Sequence, residues 1–64
     1  MYVFIKSIGQ SPRQYFFDHC GNQRLCDLLR QHEIDASKAF CGGRTVLLET
    51  VLVASLNEKL IEIR

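Results

Sequence analysis

Tryptophan is absent from this sequence, proline occurs only at position 12, and methionine only at position 1. One proline and four glycines among 64 residues leave no proline-rich spacer and no glycine-rich linker. No apolar run approaches the roughly 20 residues a membrane helix requires. The start, Met1-Tyr2-Val3-Phe4-Ile5-Lys6, lacks the charged-then-apolar order of a secretion signal. A dominant charge is missing as well. Eight Lys and Arg against seven Asp and Glu give +1, no broad footprint for nucleic acid or an anionic membrane, although a local basic patch stays open. The three cysteines, Cys20, Cys26 and Cys41, are odd in number, which without a secretion signal argues for reduced thiols in the cytosol or nucleus.

What is present is apolar patterning, with 47% hydrophobic residues in one domain, 1–64. Residues 1–8 read as a strand, with Val3 and Ile5 on one face and Tyr2, Phe4 and Lys6 on the other. Gly9 to Arg13, with Pro12, is turn chemistry, and residues 14–19 form a second strand of an antiparallel hairpin. Asn22 suits a helix N-cap. Leu25, Leu28, Leu29 and His32 follow at helical spacing, and the helix is expected to end near His32 or Glu33. Residues 34–37 connect to a short strand, 38–41, stopped by Gly42-Gly43. Residues 44–48 fit a strand or a turn, and 49–56 mix β-branched residues with Leu and favour neither. Asn57-Glu58 is a turn before a closing strand, 59–64, with Ile61 and Ile63 on one face. The order predicts an α+β fold in which one helix covers a mixed sheet and the apolar first and last strands run parallel and adjacent.

Several segments resemble ubiquitin. Met1-Tyr2-Val3-Phe4-Ile5-Lys6-Ser7 matches its opening Met-Gln-Ile-Phe-Val-Lys-Thr at Met1, Phe4 and Lys6. Phe40-Cys41-Gly42 stands where ubiquitin has Phe-Ala-Gly. Thr50-Val51 and then Leu56 are similar to the residues around its short helical turn, and Ile61-Glu62-Ile63 to its last strand, Leu-His-Leu. The resemblance spans the chain and implies a ubiquitin-like β-grasp: a β-hairpin, one helix and a mixed sheet. It also implies what is missing. The sequence stops at Arg64 without the terminal Gly-Gly tail through which ubiquitin is conjugated, and Gly42-Gly43 is internal. The expectation is therefore a non-conjugatable ubiquitin-like domain. It would be the N-terminal part of a ubiquitin–ribosomal protein fusion that stays with the small ribosomal subunit in the cytoplasm. The alternative is a stand-alone adaptor that binds a protein partner through its outer sheet face. A sulfur carrier on the same fold would also need the missing diglycine.

Ubiquitin's Leu, Ile and Val recognition patch maps by resemblance to Ile8, Ala39 and Arg64. One position is kept in kind, one shortened and one charged. A loss at such a hot spot can exceed about 2 kcal/mol of binding. Phe4 and Phe16 would pair across the hairpin on the outer face, stabilising the sheet or forming a docking patch. The expected interaction surface is thus Phe4, Ile8, Phe16, Ala39 and Arg64. Arg13, Arg24, Arg30, Arg44 and Arg64 are the candidates for phosphate contact. No catalytic group, cofactor, metal, membrane or small-molecule substrate is expected. His19-Cys20, Cys26, His32 and Cys41 lack the Cys-x-x-Cys pairing of structural zinc sites. On a continuing strand, His19 and Cys20 would also point to opposite faces. Cys26 and Cys41 read as small buried hydrophobes.

Overall fold

The computed structural model describes all 64 residues. Its elements are β1 (Tyr2–Lys6), β2 (Arg13–Phe16), α1 (Leu25–Gln31), β3 (Ala39–Cys41), β4 (Arg44–Val46), a 3-10 turn (Ala54–Leu56) and β5 (Leu60–Ile63). They form one five-stranded sheet in the order β2-β1-β5-β3-β4. β1 pairs antiparallel with β2 and parallel with β5, and β3 lies antiparallel to both β4 and β5. This is the expected α+β, β-grasp plan, with the first and last strands adjacent and parallel.

Strand alternation selects the core. Val3, Ile5, Ile61 and Ile63 point to one face, where Leu25, Leu28 and Leu29 of α1 meet them together with Phe17, Ala39 and Leu52. Leu52 is fully buried although it lies in no regular element. No helix is long and apolar enough to cross a membrane.

The start of α1 differs from expectation, whereas its stop falls at His32 and Glu33 as expected. The N-cap is Arg24, and Asn22 sits upstream in a left-handed turn at φ 56°. The first free N–H groups of the helix are taken up by distant backbone. Leu25 N–H donates to Thr50 O at 2.9 Å and Cys26 N–H to Leu48 O at 2.8 Å. Leu52 N–H donates to Gln23 O at 2.7 Å, and Arg24 forms a β-bridge with Val51. Asp27 Oδ2 accepts from Arg24 N–H at 3.2 Å. At the other end, Glu33 lies at φ 57°. Its N–H donates to Arg30 O at 3.1 Å and Ile34 N–H to Leu29 O at 2.8 Å, the paired bonds of a Schellman motif. His32 is the exposed C-cap, with its ring 4.6 Å from that of Tyr15.

The first hairpin turns at Ser7–Gln10, where Gln10 N–H donates to Ser7 O at 3.1 Å and Gly9 takes φ 74°. The second turns at Gly42-Gly43, both with positive φ, as a two-residue hairpin requires. That diglycine is therefore folded into the sheet. Residues 44–46 form a strand, and 47–53 form the irregular cap of α1 just described.

Candidate functional site

The solvent-facing side of the sheet is rich in aromatic and apolar residues. Opposite the core-facing Val3, Ile5, Ile61 and Ile63, alternation puts Tyr2, Phe4 and Lys6 of β1 outward with Gln14 and Phe16 of β2. Leu60 and Glu62 of β5 and Phe40 of β3 share this face. Phe16 stands opposite Tyr2, their rings edge to face at 5.8 Å. Phe4 stands between Gln14 and Leu60 and is half-buried by them. Phe16 is 62% exposed, Tyr2 47% and Leu60 40%. At the far end of β5, the Arg64 guanidinium lies 4.9 Å above the Phe40 ring, a cation–π contact.

The expected surface residues separate into three groups. Phe4, Phe16 and Arg64 do lie on the outer face. The aromatic partner of Phe16 is Tyr2 rather than Phe4, because the hairpin register sets Phe4 against Gln14. Ile8 is 74% exposed, but it rides on the β1–β2 turn. Ala39 is fully buried between Ile63 and Val46, so a partner cannot touch its side chain. The position at which ubiquitin's resemblance implied a surface residue belongs here to the core. Tyr2, Phe40 and Leu60 complete the face and were not among the expected site residues. For Tyr2 the signal was available, since period-two alternation already grouped it with Phe4. For Leu60 it was available too, since Ile61 and Ile63 alternate inward beside it, whereas Phe40 falls in a strand too short for alternation to assign a side.

The five arginines are all exposed, and the sole ion pair of the fold, Arg30 with Asp27 at 3.9 Å, occupies one of them. A shallow cavity of about 320 Å³ opens beside α1, lined by Cys26, Leu29, Ile34, Ala36 and Leu48 with Arg30 at its rim. Cys41 is half-buried and packs against the core, whereas Cys26 is half-buried and lines that cavity, so neither is the fully buried hydrophobe expected.

The end of β2 requires a correction. The strand stops at Phe16 instead of running to His19, and residues 19–22 form a turn. His19 and Cys20 therefore do not point to opposite faces. Their ligating atoms and those of Asp18 all lie within 4.8 Å of one another, and all three residues are exposed.

Comparison of the chain with protein-family models, curated proteins and solved structures finds no match.

Proposed function

We propose that this chain is a ubiquitin-like binding domain that docks a protein partner through the outer face of its sheet. The supporting observation is the apolar run Phe16–Tyr2 and Phe4–Leu60 across β2, β1 and β5, continued on β3 by Phe40 beneath Arg64. Tyr and Arg are enriched at binding hot spots, and exposed contiguous apolar area marks interfaces. Covering a mostly exposed Phe16 would contribute about 1–2 kcal/mol to a complex. The face differs from ubiquitin's patch at its centre. With Ala39 inward, an aromatic pair and a stacked Arg stand in for a Leu-Ile-Val triplet, so the partner would differ from ordinary ubiquitin receptors. A photo-crosslinking amino acid placed at position 16 should trap the partner in cells, and the same probe at Arg30 on the helix side should not. Equal trapping at both positions, or none at position 16, refutes the reading.

A second reading is attachment to the small ribosomal subunit, as the resemblance implies. Arg13, Arg24, Arg44 and Arg64 are exposed with no ion-pair partner, which leaves guanidinium groups available to phosphate. In that case the domain should co-sediment with small subunits, and the double change R13E/R44E should release it. Co-sedimentation that ignores salt and those changes argues against phosphate contact.

A further inference from the structure

We propose that Asp18, His19 and Cys20 form a binding site for a borderline-soft divalent cation of the zinc type. Three different donors, a carboxylate oxygen, an imidazole nitrogen and a thiolate sulfur, stand at consecutive positions with their ligating atoms within 4.8 Å of one another. Tetrahedral coordination at about 2.0–2.3 Å per bond needs donor separations of about 3.3–3.5 Å. The donors would have to close by up to about 1.5 Å, a movement within the reach of rotation in exposed side chains.

The loop is built to hold the carboxylate. Asp18 Oδ1 accepts from Cys20 N–H at 2.9 Å, and Asp18 N–H donates to the Gln23 side-chain oxygen at 3.3 Å. A Cβ built on Gly21 would lie 2.8 Å from Asp18 Oδ2, so a side chain there would push the exposed carboxylate aside. Fully buried Phe17 and Leu25 anchor the two ends of the loop.

The donor set selects the ion. Sulfur and nitrogen ligands disfavour Mg²⁺ and Ca²⁺, which take oxygen, and suit Zn²⁺ or Co²⁺. Three protein donors leave a fourth position open to water or to a ligand from another molecule. Cys26 and Cys41 are both half-buried and stay outside the cluster.

The test is titration of the reduced full chain with Co²⁺ alone, followed by Zn²⁺ competition. A near-ultraviolet thiolate-to-cobalt band should saturate at one equivalent, and Zn²⁺ should displace it. Cys20→Ser should abolish the band while retaining Cys26 and Cys41. His19→Gln and Asp18→Asn should each weaken binding on the order of tenfold or more, with unchanged far-ultraviolet dichroism. Absence of the band in the native chain overturns the proposal. So does a band that survives Cys20→Ser, and so does native-like affinity in Asp18→Asn, which would remove Asp18 from the site.

Discussion

Replacing Glu33 with glycine should make the domain more stable. Glu33 closes α1 at φ 57°, a left-handed conformation that costs an L-residue with a side chain about 1–2 kcal/mol. Its exposed carboxylate takes part in no hydrogen bond or ion pair that would be lost. Glycine adopts this φ without penalty, but it also gains freedom in the unfolded chain, which offsets about 0.4–1 kcal/mol. The net gain is about 0.5–1 kcal/mol, or about 3–6 °C in Tm for a domain of this size. With no tryptophan to report on unfolding, urea and thermal transitions followed by far-ultraviolet dichroism are the assay. Glu33→Ala is the control. It keeps a Cβ and so keeps the penalty, and should stay within about 0.5 kcal/mol of the native chain. Glu33→Gly that is no more stable than Glu33→Ala would refute the assignment of a strained Schellman terminus at this residue.

Leu52→Ala empties a fully buried site outside regular structure and should cost about 2–5 kcal/mol, enough to unfold much of a 64-residue domain, as a urea midpoint would record. The double change Y2S/F16S removes an exposed edge-to-face pair, so it should cost only about 1 kcal/mol in the same assay while eliminating the crosslink to a partner. Asp27→Ala removes the acceptor for Arg24 N–H and a carboxylate in the first turn of α1, a loss of about 1 kcal/mol. Arg30→Ala breaks an exposed pair at 3.9 Å and should shift stability by less than about 0.5 kcal/mol.

The parts of the fold legible in the sequence are those in which side chains alone carry the signal. Val3/Ile5 and Ile61/Ile63 alternate cleanly, and Leu25, Leu28 and Leu29 recur at helical spacing, so the central strands, the helix and its buried face followed directly. The helix start did not. It is set by carbonyls of Leu48 and Thr50, more than twenty residues away, which no local pattern encodes. The helix stop uses a glutamate where sequence signals would ask for glycine or asparagine. Strand β2 was read three residues too long because Phe17, one residue past its end, continues the inward alternation and still donates its N–H to Met1 O at 2.8 Å. That misreading hid the convergence of Asp18, His19 and Cys20. On the outer face, β1 was long enough for alternation to be read, whereas Ala39 and Phe40 in a three-residue strand were not, and the resemblance assigned Ala39 to the wrong side.

The stretch from Leu48 to Leu52 grips α1 with main-chain atoms, and only Leu52 among its residues is fully buried. Evolutionary drift at Glu49, Thr50 and Val51 should therefore be cheap, since almost any residue offers the same carbonyl. Length is another matter. Adding or deleting one residue there would throw both acceptors out of step with the Leu25 and Cys26 amides, so the segment should tolerate rewriting far better than resizing.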